Sequence, residues 1–409
     1  MKRKNIKTKK KPIVSRIYDL RERQKQKVRE PDAYRAVLPR MKIIGIGGAG
    51  GNALSRMHGV IKGIGTIALN TDAQDLRFTQ ADYKIQVGKN VTFGRGAGMN
   101  PEMGKKSVEE SKDEVIAALQ GTELAFITCG LGGGTGSGAA PVVAELCRSL
   151  NMVTIAVVTM PFTFEGKERM QIAQGAWNAL VTHVDALITV HNDRVFSIIE
   201  ANTSLKKAFW HVDEILREGI QAVSDLIIKP GLINVDFSDL KAIVQRAGPA
   251  LLGIATAQGK DRAERAAEHA ITNPLVESSI DNARRVLLNI TACGDLSMIE
   301  VQRVAQVITE RVHPDAKIIF GANFDSTLGK GTMKVTVVAC DFEGSMQTSL
   351  IENDNDALFQ RKQNTETSRT QYQNVQENSP LLKDMLGEKI KPFENLEDQP
   401  AFLRKKKRE

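Results

Sequence analysis

The 409-residue sequence predicts an α/β protein, a parallel sheet covered on both faces and joined by a long helix to a smaller α+β unit. Three observations predict it. Short apolar runs alternate with stretches long enough for crossover helices, one long segment keeps a helical period throughout, and the pattern changes after Pro230-Gly231.

In chain order, Ile43–Ile46, Thr66–Leu69, Leu124–Thr128, Thr154–Val158 and Ala186–Val190 are short, apolar and partly β-branched, as strands of a buried parallel sheet are. Leu205–Ile228 then places Phe209, Val212, Ile215, Leu216, Ile220, Val223, Leu226 and Ile227 at steps of three and four, one apolar helix face. Beyond it, Leu240–Val244, Arg285–Thr291, Lys317–Asn323 and Lys334–Cys340 read as strands or buried helices, with helices near Asp261–Ile271 and Met298–Arg311. The expected organisation is a basic disordered extension at 1–40, a first domain with its helix at 41–230 and a second at 231–345. A linker at 346–394 and a terminal peptide at 395–409 complete it. The linker is too poor in large apolar groups to offset its ordering entropy and would span about 35–45 Å as a coil.

The formal net charge of +8 sits in the tails. Residues 1–40 hold 15 Lys/Arg against 4 Asp/Glu, residues 404–408 are all basic, and the body between is mildly acidic, unlike a nucleic-acid-binding body. Cys129, Cys147, Cys293 and Cys340 form no CxxC pair and the six histidines form no HExxH, so ordinary thiols and no structural metal are expected. No apolar stretch approaches the roughly 20 residues of a membrane helix, and Arg16 interrupts the apolar stretch of the N-terminus. The expectation is a cytoplasmic protein, not an integral membrane one.

Gly45-Ile46-Gly47-Gly48-Ala49-Gly50-Gly51-Asn52 follows a predicted strand and opens a helix, a setting in which backbone N–H groups can approach a phosphate. Alone this GxGxxG also fits a dinucleotide site, with Asp72 about 20 residues on as the ribose-binding acid, or a structural turn. A second loop, Gly132-Gly133-Gly134-Thr135-Gly136-Ser137-Gly138, again lies between strand and helix and can present a row of N–H donors and hydroxyls to a polyphosphate. A dinucleotide domain does not require it. No GxxxxGK[ST] frame is present, which excludes a P-loop.

The second loop resembles the GGGTGSG signature of the tubulin/FtsZ family. Asn70-Thr71-Asp72, Gly96–Pro101, Phe164–Arg169, Asn192-Asp193-Arg194 and above all Pro230–Asp239 resemble loops of the FtsZ branch in the expected order. The resemblance runs from Met41 to Asp341 and returns at Asp398–Arg404, which is similar to an adaptor-binding peptide. It implies a tubulin-like GTPase domain, a Rossmann-like parallel sheet joined by a core helix to a two-layer α+β domain, and a cell-division protein that assembles head to tail at the division site.

By the same resemblance, Gly48, Ala49, Gly50, Gly51 and Asn52 with Gly133, Gly134, Thr135, Gly136 and Ser137 would cradle the GTP phosphates. Ala97 and Gly98 would approach the γ-phosphate, while Asn70 and Asp72 would support the nucleotide. Glu165 and Arg169 would serve the ribose and phosphate side, Asn192 and Asp213 the guanine, and Phe209 would stack on the base or pack in the core. Asn234, Asp236 and Asp239 would complete the site of a neighbouring subunit and position the attacking water, with Asp239 also suited to capping a helix. Mg2+ on the phosphates and GDP as product follow. His191 stands where the family has proline and Gln399 where it has an aliphatic residue. The basic extension fits a solvated tail or a contact with acidic lipid or nucleic acid. An NAD enzyme and a GTP-binding filament that hydrolyses poorly are the competing readings.

Overall fold

The computed structural model describes residues 38–342, apart from residues 62, 198, 201, 230 and 273–278. The expected extension up to residue 37, the linker and the terminal peptide lie outside the described residues.

The first half alternates strand and helix. Its elements are β1 (Met41–Ile46), α1 (Gly47–Met57), β2 (Gly65–Asn70), α2 (Ala73–Phe78), β3 (Tyr83–Gln86), α3 (Lys89–Thr92), α4 (Pro101–Glu110), α5 (Lys112–Leu119), β4 (Leu124–Gly130), α6 (Gly134–Ser149), β5 (Val153–Met160), α7 (Lys167–Val181) and β6 (Ala186–His191). The long helix α8 (Leu205–Ile228) follows. After it come β7 (Gly231–Ile233), α9 (Phe237–Val244), β8 (Gly248–Gln258), α10 (Arg262–Ile271), β9 (Ala283–Ala292), α11 (Met298–Thr309), β10 (Lys317–Phe324) and β11 (Thr332–Phe342).

The strands join one sheet in the order β3-β2-β1-β4-β5-β6-β8-β11-β9-β10-β7. From β3 to β6 all neighbours are parallel. Beyond β8 the sheet is mixed, with β11 antiparallel to β8 and β9, β9 parallel to β10, and β7 an antiparallel edge. The halves meet on a short seam, where Ala186, Leu187 and Ile188 pair with Gly248, Pro249 and Ala250. Asp185 reinforces it: its carbonyl accepts Ala247 N–H at 2.7 Å and Gly248 N–H at 3.0 Å. Its carboxylate accepts Thr154 N–H at 2.9 Å and Arg246 N–H at 3.1 Å.

Helix α8 covers both halves. Leu216, Ile220, Val223 and Leu226 are buried in one cluster with Ile155 and Val157 of β5, Leu252 of β8, Leu287 of β9 and Val338 of β11. Each such aliphatic side chain contributes about 1.5–3 kcal/mol by burial. On the other face of the second half, Ala263, Ala266, Ala267 and Ala270 of α10 pack on Leu251, Val286, Leu288, Val335 and Val337. The small side chains permit a close approach, since a Cβ on Gly253 would lie 2.0 Å from the Ala270 carbonyl oxygen.

Leu240–Val244, which the sequence leaves open between strand and helix, is helical: it lies within α9, and buried Leu240, Ile243 and Val244 make it a core helix. Strands β3, β7 and β8 fall outside the segments that sequence pattern marks as strands. Among the described residues no helix is long and apolar enough to cross a membrane.

Candidate functional site

A cleft of about 410 Å³ opens where β1, β4 and β5 end, lined by the starts of α1 and α6 and by Glu165, Arg169, Asn192, Phe209 and Asp213. The carboxyl ends of parallel strands are where open α/β sheets bind ligands, because helix N-termini converge there. Neither α1 nor α6 has a side chain capping its N-terminus. Their first N–H groups are left for a ligand or water, and their dipoles favour an anion.

The glycines shape this cradle in different ways. A Cβ on Gly50 would stand 2.5 Å from the Thr128 carbonyl oxygen, so glycine there lets α1 lie against the sheet. A Cβ on Gly136 would lie 2.4 Å from the Gly130 carbonyl oxygen, and one on Gly134 would strike Ala97 at 2.8 Å. Gly133 faces open space instead. The loops are knitted by the Thr71 and Thr135 hydroxyls, 2.6 Å apart, and by Ser137 Oγ, which accepts Gly132 N–H at 2.8 Å.

The opposite wall is polar and aromatic. Glu165 pairs with Arg169 at 2.8 Å and accepts Phe162 N–H at 2.8 Å. Arg169 Nε and Asn192 Oδ1 are buried without a hydrogen-bond partner, two polar atoms at the cleft that a ligand would satisfy. Phe209 is half-exposed and meets buried Phe162 edge to face, with centroids 5.4 Å apart. Asp213, only 8% exposed, accepts a hydrogen bond from Arg56 Nε at 3.0 Å. Burial pushes its carboxyl above the usual carboxylate range, and Arg56 pulls it partly back.

Of the sequence-predicted residues, Gly48, Ala49, Asn52, Gly133, Gly134, Thr135, Gly136, Glu165, Arg169, Asn192, Phe209 and Asp213 meet in this cleft. The others stand behind it. Gly50 and Gly51 pack inside α1, Ser137 braces its loop, and Ala97 packs on Gly134 with Gly98 exposed beside it. Asn70 Nδ2 donates to Asp75 at 2.7 Å, and Asp72 caps α2 by accepting Gln74 and Asp75 N–H. Asp72 does not line the cleft and spends one oxygen on this cap, which counts against the dinucleotide reading. Gly47, already part of the first loop motif, also lines the cleft, as do Thr159 and Pro161, which the sequence does not single out and whose position at the end of β5 is the signal that could have found them.

Asn234, Asp236 and Asp239 do not line the cleft. Asn234 Oδ1 accepts Gly231 N–H at 2.6 Å. Asp236, not Asp239, is the N-cap of α9, in a reciprocal box: Asp239 N–H donates to Asp236 Oδ1 at 2.7 Å and Asp236 N–H to Asp239 Oδ2 at 3.2 Å. One oxygen of each carboxylate stays outside the box. Among the described residues no three His, Cys, Asp or Glu side chains cluster as metal ligands. The Asp75 carboxylate, which accepts Asn70 Nδ2, lies against the first glycine loop, 3.2 Å from the position of a Cβ on Gly48.

Comparison with known proteins agrees with this geometry. Residues 40–200 match the GTPase domain of the Tubulin/FtsZ family and residues 248–343 the C-terminal domain of the FtsZ family. An M. jannaschii FtsZ dimer is similar at 40% identity over 80% of this chain and 92% of that one, with a TM-score of 0.70. A point mutant of M. jannaschii FtsZ matches at 40% identity over 80% and 95% of the two chains, with a TM-score of 0.70. CetZ2 from Haloferax volcanii shares the fold, at 21% identity over 79% and 99% and a TM-score of 0.66. Two uncapped helix ends above a tubulin-like sheet, together with these matches, establish that the chain belongs to the Tubulin/FtsZ family and is a GTPase of its FtsZ branch.

Proposed function

We propose that the chain binds GTP in the cleft, assembles head to tail into filaments and hydrolyses GTP to GDP at a site completed by the next subunit. The phosphates lie against Gly48–Asn52 and Gly133–Gly136, the ribose toward Glu165, and the guanine between Phe209, Asn192 and Asp213. Mg2+ bound with the phosphates would supply neutralisation of the charge that develops during transfer, and Asp75, against the first glycine loop, would help to hold it.

The observation that carries this reading is the separation of the two halves of the chemistry. Asp236 and Asp239 are held as a preformed pair outside the cleft, beside exposed Leu232 and Ile233. A phosphate cradle whose own lining carboxylates, Glu165 and Asp213, are engaged by Arg169 and Arg56, and a carboxylate pair without a phosphate, complete each other in two stacked copies. The dimer described for M. jannaschii FtsZ supports it. Further proposals follow from the resemblance: Asp398–Arg404 binds division adaptors and membrane tethers, the basic extension meets acidic lipid or nucleic acid, and the protein works in the cytoplasm at the division site.

Complementation tests the shared site. Asp236→Ala is expected to bind GTP normally while its phosphate release falls roughly 100-fold. A second variant, with Asp236 intact but a cleft closed to nucleotide, is inactive alone for the opposite reason. Mixed, the two are expected to regain release, because the loaded cleft of the first then meets the acid of the second, and the recovery should rise with the product of the two concentrations. Undiminished release by Asp236→Ala alone, or a mixture of co-assembling variants that stays inactive, refutes the shared site.

A further inference from the structure

Asp193 is adjacent to Asn192 in the short turn after β6, and 30 residues from Thr163. Its carboxylate accepts Thr163 N–H through both oxygens, at 3.0 and 3.1 Å, and also accepts the Thr163 hydroxyl. Thr163 begins the turn Thr163–Glu165, which brings Glu165 to the cleft wall. Beside that turn, buried Phe162 stacks on Phe164 at 4.9 Å and meets Phe196 and Phe209 at 5.5 and 5.4 Å. Asp193 therefore ties the Glu165 turn to the element that carries Asn192, and Phe162 ties both to Phe209.

A carboxylate accepts hydrogen bonds and repels phosphate. Glu165 already holds Phe162 N–H and Arg169, so its orientation is set by the turn that carries it. With Asp213 and Phe209 at one end of the cleft and the glycine loops at the other, the nucleotide donors left for Glu165 are the ribose hydroxyls.

We propose that Asp193 is a positioning residue, which holds the Thr163–Glu165 turn so that Glu165 receives the ribose hydroxyls of the bound guanine nucleotide. This rests on the reading that the cleft takes GTP. Alanine at 193 would remove every acceptor of the Thr163 N–H and hydroxyl, whereas asparagine could keep both contacts, its Oδ1 accepting the N–H and its Nδ2 donating to the hydroxyl oxygen. Thr163 is at the surface, so the cost falls on the orientation of the turn more than on the fold.

Calorimetric titration of the full chain with GDP and with 2′,3′-dideoxy-GDP tests it, alongside thermal unfolding without nucleotide. The wild type is expected to prefer GDP roughly tenfold, the range of a hydrogen bond to a charged group. Asp193→Ala is expected to lose most of that preference, with dideoxy-GDP affinity changed less than about twofold. Retention of the full preference by Asp193→Ala overturns the proposal, as does a wild type that binds both ligands equally while still binding GDP. A wild type that binds neither overturns the GTP reading itself. If Asp193→Ala does not fold, Asp193→Ser decides: its side chain stays polar but is too short to hold both the N–H and the hydroxyl of Thr163, and an undiminished preference overturns the proposal.

Discussion

Arg56 near the end of α1 and Asp213 on α8, 157 residues apart in sequence, form a hydrogen-bonded ion pair at 3.0 Å behind the cleft wall that Asp213 lines. Arg56 also lies 5.6 Å above the Trp210 ring, which keeps its planar group in one orientation. Burial alone would favour a neutral Asp213, and Arg56 opposes it. An acid with a raised folded pKa makes the folded protein bind protons more readily than the unfolded chain. Through this group, nucleotide-free protein therefore loses stability as pH rises through the window between the two values. Nucleotide binding runs the other way. Guanine offers two N–H donors, and protonation replaces an acceptor with a donor. GDP affinity is expected to fall as pH drops toward the usual carboxylate value of about 4, and to begin falling at higher pH in Arg56→Ala. Calorimetry across pH checks this, and an acid limb that Arg56→Ala does not move would remove the coupling.

The glycines predict a split between folding and binding. Gly136→Ala places a Cβ 2.4 Å from a backbone oxygen and is expected to cost about 1–3 kcal/mol in urea unfolding as well as nucleotide affinity. Gly133→Ala meets no atom within 4 Å and has an ordinary φ of −94°. It is expected to change stability by less than about 0.5 kcal/mol while still weakening GDP binding, because the added methyl enters the cleft.

Arg262 is 4% exposed and bonded to Glu300 at 2.6 Å and Asp295 at 2.9 Å, joining the starts of α10 and α11. Arg262→Ala strands both carboxylates and is expected to cost about 3 kcal/mol at neutral pH, measured by urea unfolding. Glu300 is held below its usual range, first by Arg262, and Asp295 first by Gly331 N–H and then by Arg262. A depressed acid contributes its stability above the unfolded pKa and loses it as pH falls through the folded one. The penalty of Arg262→Ala should therefore shrink below about pH 4.

Asp185 holds the seam between the sheet halves. Asp185→Ala removes the acceptor of Thr154 and Arg246 N–H, while the backbone bonds to Ala247 and Gly248 remain. A loss of about 1–3 kcal/mol is expected, and hydrogen exchange should show faster opening at Ala186–Ile188 than at the centre of β4.

The strands of the first half are legible in the sequence because burial on both faces leaves continuous apolar runs: Ala186–Val190 and β6 differ by one residue. Helix α8 is legible to its ends, since its stripe faces one core throughout. Strand β8 is not. Gly-Pro-Ala and Ala-Thr-Ala steps give it little β-branched signal, and its strand state comes from nine paired residues of β11. At the site, glycine loops announce themselves by composition. Arg56 and Asp75 do not, since Arg56 meets Asp213 157 residues away and Asp75 lies beneath the first loop, while Asp193 is visible only as part of the Asn192-Asp193-Arg194 motif, its partner Thr163 being 30 residues away. Pairing of that kind becomes visible only once the chain is closed.

The cleft and the Asp236–Asp239 pair share no residue within one chain. In the head-to-tail row proposed above, n copies hold n nucleotides but only n − 1 completed sites. One terminal copy then carries a nucleotide whose cleft meets no acid pair to orient water, and the opposite terminus carries an idle acid pair. The two ends of any row are thus chemically unlike, and the share of nucleotide sheltered from hydrolysis scales as one over the length, so short rows keep proportionately more of their triphosphate than long ones.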